Sequence, residues 1–272
     1  MEDGFSLEDS AIGILGLGLM GGSLAMSLKG KCARLIGFDT HLPTVELALA
    51  VGIVDHASSD LSSMSQLDVL ILATPVNVMV DILPKLPSFI TQSCIVMDVG
   101  STKKLIVESM DQLPENFEII GAHPICGKEK LGLENADAHL YRNAPFVITP
   151  SERTTPKSRS AARQIISTVG ANCIEMSAEA HDRILAFTSH LPFLLSSALV
   201  NTLPEEFAAL IGPGFRSNSR LADTPSRMMI GILQSNRENV LSSIHSFRAS
   251  PTELAKNLQN ENYIQLEELL NN

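Results

Sequence analysis

The chain has 272 residues, of which 44% are hydrophobic and 18% are charged, and its formal net charge is −10. This length allows one large domain or two modest ones, each with a core of its own. The acidic balance argues against nucleic acid as a partner, because phosphate binding needs clustered Lys and Arg. No apolar run reaches the roughly 18 residues of a membrane helix, so we expect no membrane partner. A small anionic substrate remains compatible with this net charge, since a few local arginines can make the electrostatic potential of a cleft positive.

Four cysteines are present, and none is spaced as a CxxC pair or with histidines as a zinc site. We therefore expect no bound metal. The first residues, MEDGFSLED, are acidic and lack the basic-then-apolar pattern of a secretory signal. These two features favour the reducing cytoplasm and free thiols.

The first half of the chain alternates short apolar runs with helical stretches. The runs are rich in Ile, Val and Leu and predict six strands buried on both faces, as in a parallel sheet. They are AIGILG (11–16), ARLIGFD (33–39), LDVLILATP (67–75), CIVMDVG (94–100), FEIIGAHP (117–124) and PFVITP (145–150). Between the first two lies GGSLAMSLKG, a helix that Gly30 can end in a left-handed conformation. The alternation predicts a doubly wound α/β domain.

From about residue 177 the pattern becomes helical throughout. One helix is predicted from Ser177 to Leu203. A second starts where Thr224 can cap and Pro225 takes the first helical position. A third starts at Ser250, which with Glu253 fits a capping box. The predicted domains are α/β for residues 1–176 and all-helical for residues 177–272.

The stretch GLGLMGG follows the first predicted strand and opens a helix. Gly16, Gly18 and Gly21 form G-x-G-x-x-G, in which glycines allow a tight turn, approach of a pyrophosphate and close packing of helix on strand. The helix N-terminus adds unpaired N–H groups and a partial positive charge. The order of strand, glycines and helix predicts a Rossmann-type dinucleotide site. The alternative is a glycine-rich turn without a ligand.

Asp39, at the end of the second predicted strand, bears on the choice of cofactor. Its carboxylate would bond ribose hydroxyls and repel a 2′-phosphate, and no arginine follows it. NAD is therefore favoured over NADP, although Asp39 could merely start a turn. The other candidate cofactor residues are Leu19 and Met20 within the glycine motif, and Thr74 and Pro75 at the end of the third predicted strand.

His123 and Ser101 follow the fifth and fourth predicted strands, at the carboxyl edge where ligands of open α/β sheets bind. Oxidising an alcohol removes a hydride from carbon and a proton from oxygen. With NAD taking the hydride, a neutral imidazole can take the proton. The alternative is a histidine with a structural role only. Lys103 and Lys104 could reach a phosphate, but we favour a solvated helix start for both.

In the helical half, His181 and His190 are nine residues apart, which places them on opposite faces of a straight helix. Pro192 kinks the chain near His190, and we favour His190 as the substrate-facing residue, with His181 left open as a supporting or core residue. The loop 212–225 carries Arg216 and Arg220. Either guanidinium could hold a carboxylate bidentately, and surface solvation is the alternative.

With these motifs in place, the chain resembles the prephenate/arogenate dehydrogenase family of tyrosine biosynthesis over nearly its whole length. The resemblance rests on GLGLMGGSLA, DVGSTK, GAHPICGKEKLG, HDRILAFTSHLP and GFRSNSRLA, which occur in the family's order. It implies an NAD-dependent oxidative decarboxylation of prephenate to 4-hydroxyphenylpyruvate, or of arogenate to tyrosine, driven by aromatisation. It also implies a homodimer formed through the helical domain.

The resemblance implies a role for each matching residue. His123 would accept the proton of the C4 hydroxyl, with Ser101 near the same hydroxyl and the nicotinamide. Arg220, rather than Arg216, would hold a substrate carboxylate. The family's glutamate falls on Glu129, and the histidine of SHLP falls on His190.

The chain departs from the family pattern at two positions. Phe193 stands where many members have a second histidine, and Lys128 stands where a small polar residue is common. Our hypothesis is that Lys128 takes over part of the lost anion binding. Both departures leave prephenate and arogenate open. The remaining alternatives are another two-domain enzyme, such as a β-hydroxyacid dehydrogenase or an imine reductase, and a noncatalytic NAD-binding sensor.

Overall fold

The structure is a computed structural model that describes residues 4–128 and 130–271. Two compact units can be distinguished. The first unit runs to Asp182 and also takes in Asp223–Ser235, and the second unit comprises Arg183–Ala222 and the residues from Asn236 onward. Contacts therefore assign two segments after residue 176 to the first unit. The domain division at residue 176 stays a prediction.

The first unit is built on one eight-stranded sheet with the order β3-β2-β1-β4-β5-β6-β7-β8. Strands β1 to β6 pair in parallel, β7 runs antiparallel to β6, and β8 is parallel to β7. The strands are β1 (Ala11–Leu15), β2 (Arg34–Phe38), β3 (His56–Ser58), β4 (Val69–Leu72), β5 (Cys94–Asp98), β6 (Phe117–Pro124), β7 (Pro145–Thr149) and β8 (Asn172–Glu175). The order reverses between β1 and β4, which is where such sheets bind ligands.

All six predicted strands form, and the doubly wound sheet is confirmed. Two strands were not predicted: β3 has three residues and β8 is exposed along its whole length, so neither shows a buried apolar run. Because β3 precedes β4, the predicted fourth and fifth strands are β5 and β6. The strand that carries His123 is therefore the sixth.

Helices cover both faces of the sheet and bury its apolar side chains. The helices of this part are α1 (Leu19–Leu28), α2 (Leu42–Ala50), α3 (Val76–Ile82), α4 (Leu86–Phe89), α5 (Lys104–Met110) and α6 (Pro156–Thr168). β1, β4 and β5 are buried at every position, as expected for strands covered on both sides. Gly30 follows α1 with a φ of +74°, which confirms the left-handed conformation predicted there.

Beyond residue 177 the described part of the chain contains helices and turns but no strand, as predicted. The elements are α7 (Ala178–Leu185), a π-helical segment (Ala186–His190), α8 (Leu191–Asn201), α9 (Pro213–Ser219), α10 (Ser226–Ser235), α11 (Arg237–Gln259) and α12 (Tyr263–Leu270). The first predicted helix thus contains a π turn. Pro192 has no N–H to donate to the carbonyl of Thr188, and such segments form where the regular bonding is interrupted.

The prediction that a helix starts at Ser250 is wrong. α11 continues through this point with Pro251 in its interior. An interior proline costs about 3 kcal/mol because one N–H is missing. Here Pro251 lies on the exposed side of a long helix, so water can reach the carbonyl of Phe247, which lacks its usual N–H donor. The neighbouring carbonyl of Arg248 also accepts from the Thr252 hydroxyl at 2.8 Å. The loop predicted at 212–225 was also wrong in part, since α9 occupies it with Pro213 at its first turn.

The continuous helical stretch Ala178–Asn201 bears on the expectation that no membrane-length apolar run exists. Its 24 residues have a mean hydropathy of 1.4 in the most apolar window, and by length and composition alone it could cross a membrane. Core helices of soluble proteins pass the same test, and this stretch includes four buried polar side chains, His181, Asp182, His190 and Ser196. Burial of paired polar groups is the pattern of a protein interior rather than of a lipid-facing surface.

Candidate active site

The glycine loop between β1 and α1 has the geometry of a phosphate cradle. Gly16 has a φ of +97°, and a Cβ there would lie 2.7 Å from the carbonyl oxygen of Ala73. A Cβ at Gly21 would lie 1.8 Å from the carbonyl oxygen of Gly16, whereas at Gly18 it would meet no atom within 4 Å. The first and third glycines are therefore required by close packing. The second leaves open space in front of the helix N-terminus, where no side chain caps the N–H groups.

Asp39 and Thr74 lie beside this loop. The Asp39 carboxylate accepts from the backbone N–H of Leu17 at 2.8 Å and from that of His41 at 2.9 Å, which holds it at the carboxyl edge of the sheet. The Thr74 hydroxyl is buried and has no hydrogen-bond partner among the residues that the structure describes. Buried hydroxyls almost always have partners, so this one is a donor and acceptor suited to a ligand group. The Asp39 carboxylate, the Thr74 hydroxyl and the open glycine loop together fit a bound dinucleotide.

The remaining candidate cofactor residues have mainly backbone roles. Leu19 is buried in the first turn of α1, and the carbonyl of Met20 accepts from the Tyr141 hydroxyl at 2.6 Å. Pro75 immediately precedes α3. Their side chains shape the loops, and the N–H groups of the first turn of α1 are the groups that can reach a phosphate.

His123 lies near the end of β6 and forms the first member of a line of three side chains. Its Nδ1 is 2.9 Å from Nε2 of His181, and the two rings meet edge to face with centroids 5.1 Å apart. Nδ1 of His181 is 2.8 Å from Oδ1 of Asp182. His181 and Asp182 are fully buried, whereas His123 is partly exposed. The line therefore runs from the protein interior towards the carboxyl edge of the sheet.

Asp182 also holds the start of α5. Its Oδ1 accepts from the backbone N–H of Lys103 at 2.7 Å, and its Oδ2 accepts from that of Lys104 at 3.0 Å. These N–H groups belong to the segment that follows Ser101, which is half-buried just beyond β5. Because β5 and β6 are parallel neighbours, Ser101 and His123 lie at the same edge of the sheet.

The prediction that Lys103 lies at a solvated helix start is wrong, whereas Lys104 is exposed as predicted. Lys103 is fully buried and pairs with Asp98, and its ammonium also donates to the carbonyl of Ala122 at 2.6 Å. Asp98 in turn accepts from the N–H of Ala122 at 3.0 Å and of Gly100 at 2.8 Å. Burial lowers the pKa of the Lys103 ammonium, and the charge of Asp98 opposes that shift. The pair thus holds the residue before His123 by both of its backbone groups.

In the second unit, His190 is buried next to Asn236. Asn239 donates its Nδ2 to Oδ1 of Asn236 at 2.8 Å, which leaves Nδ2 of Asn236 facing Nδ1 of His190 at 3.2 Å. An amide nitrogen is only a donor, so Nδ1 of His190 accepts and its Nε2 carries the proton in the neutral ring. Arg220 is exposed at the end of α9 in the same unit, and Phe193 is half-buried in α8.

Two predicted substrate residues follow β6. Lys128 is exposed and pairs with Asp137 at 3.1 Å, while it also donates to the carbonyl of Asn135 at 3.3 Å. The pKa of Asp137 is lowered by the backbone N–H of His139 and by the Lys128 ammonium. Glu129 lies outside the described residues. Anion binding by Lys128 therefore competes with an ion pair within its own loop.

The first unit thus brings together the glycine loop, Asp39, Ser101 and His123, while His190 and Arg220 lie in the second unit. Sequence reasoning left the role of His181 open and did not single out Asp182. The one sequence signal for this pair was the dipeptide His-Asp near the start of a helix. An acidic residue at such a position more often interacts with the N–H groups and dipole of its own helix N-terminus.

Comparisons with known proteins agree with this arrangement. The family model for the nucleotide-binding domain of prephenate dehydrogenase matches residues 24–175, and the model for its dimerization domain matches residues 177–272. The chain is 33% identical over 244 residues to prephenate dehydrogenase of Bacillus subtilis strain 168, which covers 84% of this chain and 64% of that protein. This chain therefore spans slightly less than two thirds of that relative.

Two solved structures have the same fold throughout. One is prephenate dehydrogenase from A. aeolicus in complex with hydroxyphenyl propionate and NAD+, with a TM-score of 0.91 and 31% identity, covering 98% of this chain and 96% of that one. The other is arogenate dehydrogenase from Synechocystis, with a TM-score of 0.82 and 31% identity, covering 96% of each chain. Together with the family models, these matches show that the chain belongs to the prephenate dehydrogenase family.

Proposed function

We propose that this protein catalyses the NAD-dependent oxidative decarboxylation of prephenate to 4-hydroxyphenylpyruvate in tyrosine biosynthesis. The observation that carries the proposal is a dinucleotide cradle and a supported histidine at the carboxyl edge of one sheet. Arogenate, which would give tyrosine directly, is the alternative substrate. It is favoured by the resemblance to an arogenate dehydrogenase and by Phe193 at the position of a family histidine.

NAD, when bound, supplies the hydride acceptor for carbon 4 of the ring. Gly16, Gly18 and Gly21 leave room for its pyrophosphate at the N-terminus of α1, and Asp39 presents a carboxylate to the ribose hydroxyls. The same carboxylate repels a 2′-phosphate, which favours NAD over NADP. Thr74 offers a buried hydroxyl to the ligand beside this loop.

His123 accepts the proton of the C4 hydroxyl while the hydride leaves carbon 4. Nδ1 of His123 faces His181, so the proton acceptor is Nε2. Ser101, at the adjacent strand end, bonds the same substrate hydroxyl. As the hydroxyl becomes a carbonyl, the ring carboxylate leaves as carbon dioxide. Its bonding electrons complete the aromatic ring and leave a phenolate oxygen, which takes back the proton held by His123 to give the phenol product.

Cationic side chains and hydrogen-bond donors bind the anionic substrate. Arg220 binds a substrate carboxylate bidentately, which a guanidinium does better than an ammonium. His190 presents a neutral Nε2–H to a substrate oxygen because Asn236 occupies its Nδ1. Lys128 and Glu129 complete the candidate substrate residues. An unchanged KM in Lys128→Ala, alongside a raised KM in Arg220→Ala, would remove Lys128 from anion binding.

The helical part of the chain forms a homodimer in this proposal. Support comes from the dimerization-domain match and from exposed apolar side chains on several helices. They include Phe187, Leu199, Val200, Phe207, Leu210 and Ile264. Dimer contact also accounts for the apolar stretch Ala178–Asn201 without a bilayer. Free cysteines and the biosynthetic role favour the cytoplasm.

The deciding experiment is a side-by-side assay of prephenate and arogenate, each with NAD and with NADP, followed at the absorbance of the reduced cofactor. We expect turnover of prephenate with NAD and a higher kcat/KM than with arogenate. Turnover of a small β-hydroxyacid alone would favour the rival dehydrogenase class. Binding of NADH with silence towards both cyclohexadienols would contradict the proposal and favour a noncatalytic sensor.

A further inference from the structure

Asp182 is a fully buried carboxylate that touches two parts of the proposed site and has no role in the chemistry described so far. We propose that Asp182 is a positioning residue that sets the tautomer of His123 through His181 and, with the same carboxylate, holds the segment that carries Ser101. The proposal rests on the assignment of His123 as the proton acceptor.

The tautomer follows from the order of donors and acceptors along the line. An ionised carboxylate only accepts, so Nδ1 of His181, 2.8 Å from Asp182, carries a proton. Nε2 of neutral His181 is then an acceptor, and Nδ1 of His123 donates to it at 2.9 Å. The lone pair of His123 is therefore on Nε2, the atom that must take the substrate proton.

The groups that contact Asp182 call for an acceptor. Its two oxygens receive the backbone N–H groups of Lys103 and Lys104 in addition to the imidazole of His181. A protonated carboxyl would have to direct its O–H at one of these three donors.

Burial makes the charge of Asp182 important once His123 has gained a proton. His181 and Asp182 are shielded from water, so a positive charge on the histidine pair is stabilised by a nearby carboxylate rather than by solvent. Among the described residues, Lys103 and Asp98 are buried charges near this region that pair with each other, and the charge of Asp182 also acts on Lys103. Asp182 is therefore the carboxylate that balances the developing imidazolium.

The second role is mechanical. Asp182 accepts from the first residues of α5, two and three positions after Ser101. On the other side of Ser101, the N–H of Gly100 donates to Asp98. The segment 101–104 is thus held at both ends, and one of its two anchors is the carboxylate that orients His123. A shift of Asp182 would move the hydroxyl and the imidazole together.

The first test compares Asp182→Asn with Asp111→Asn, a control in which the changed carboxylate accepts from the Ser151 hydroxyl at the far end of α5. The amide removes the negative charge that balances a protonated histidine pair, and its NH2 group must face at least one of the backbone N–H groups of Lys103 and Lys104. We expect kcat to fall by 10²- to 10⁴-fold, on the order of the loss of a general base, with KM within a few-fold. The control should retain wild-type kcat. An Asp182→Asn variant with wild-type kcat would overturn the proposal.

The second test reads the tautomer directly in the protein without substrate. Long-range ¹⁵N–¹H spectra of histidine-labelled protein distinguish protonated from unprotonated ring nitrogens, and His123→Asn identifies the signals among seven histidines. We expect an unprotonated Nε2 in the wild type and a mixture of the two tautomers in Asp182→Leu, because leucine offers no acceptor to Nδ1 of His181. A wild-type His123 with Nε2–H would overturn the proposal, whatever the assay with prephenate shows. Silence of the wild type in that assay would instead count against the proposed function.

The third test keeps the shape of His181 and changes its hydrogen bonds. Gln in place of His181 can donate to Asp182 and accept from His123, whereas Phe can do neither. We expect His181→Gln to retain at least tenfold more kcat than His181→Phe at similar KM. Equal kcat in the two variants, with both folded by circular dichroism, would show that His181 serves packing alone and would overturn the relay.

Discussion

At the scale of single residues, His123 is the group whose loss should affect chemistry and spare binding. In His123→Asn the ring that accepts the proton is absent, while the cradle around Gly16 and Asp39 is untouched. We expect kcat to fall by about 10²- to 10⁴-fold and the Kd for NADH to stay within twofold. Fluorescence titration with NADH and steady-state kinetics separate the two effects.

The same variant carries a pH signature. His123 must be neutral to accept a proton, so wild-type kcat/KM should fall as pH drops through the pKa of this group and should level off above it. In His123→Asn the residual rate should lose that acid limb. An acid limb that persists unchanged in the variant would assign it to another group and remove His123 from the base role.

The buried pair of Lys103 and Asp98 is a matter of stability as well as position. In Lys103→Met the Asp98 carboxylate stays in the interior without its cation, a change that costs about 3–5 kcal/mol. We expect the free energy of unfolding in urea to fall by that amount. Lys104→Met, at the exposed neighbouring position, is the matched control and should change it by less than about 0.5 kcal/mol. Equal effects of the two substitutions would contradict a buried ion pair.

Residue types and strand ends were enough to single out His123, Ser101 and Asp39, because each follows a buried apolar run whose carboxyl end faces the ligand edge. The partners of these residues were not readable in the same way. Asp182 meets Lys103 across 79 positions of sequence, and no local pattern encodes such a contact. The burial of Lys103 was hidden for the same reason, since a lysine beside a second lysine usually marks a solvated turn.

At the scale of elements, the glycines of the loop between β1 and α1 differ in how much space surrounds their Cβ positions. Gly18 has open space at the Cβ position and an ordinary φ of −71°, so Gly18→Ala should fold with wild-type stability. The added methyl group then projects into the space kept for the pyrophosphate. We expect the Kd for NADH to rise about tenfold or more, while the midpoint of urea unfolding without cofactor stays unchanged.

Gly21→Ala is the matched comparison within the same loop. A Cβ there would lie 1.8 Å from the carbonyl oxygen of Gly16, so the backbone must shift and stability should fall by about 1–3 kcal/mol. NADH binding should weaken as well, because the shifted loop no longer presents its N–H groups. A Gly21→Ala protein as stable as the wild type would contradict the close packing of α1 on β1.

Element types were largely predictable because the first half of the chain alternates buried strands with helices. Failures occurred where local signals conflict with tertiary context. The antiparallel β7 has the same apolar character as its parallel neighbours, so its direction depends on its pairing with β6. The sequence SPTEL at 250–254 has the pattern of a helix start, yet α11 began at Arg237 and tolerates Pro251 on its exposed face.

At the scale of the whole molecule, the helical part exposes more apolar surface than a monomer needs. Leu210 and Ile264 are 88% and 78% exposed, so neither contributes packing within one chain. If they are covered in the proposed homodimer, placing a charge there should cost association and spare folding, because a buried unpaired charge is expensive only in the complex. Light scattering should give the wild type a mass of twice the 29.3 kDa chain.

The double variant Leu210→Glu with Ile264→Glu should shift to the mass of one chain at micromolar concentration, with helical content unchanged by circular dichroism. Leu42→Glu, at a 54% exposed leucine of α2, is the control and should stay dimeric. A wild-type protein with the mass of a single chain would contradict the dimer, and a double variant that stays dimeric would contradict the placement of these two side chains in the contact. If association depends on the second unit and cofactor binding on the first, the double variant should lose the dimer and keep the wild-type Kd for NADH.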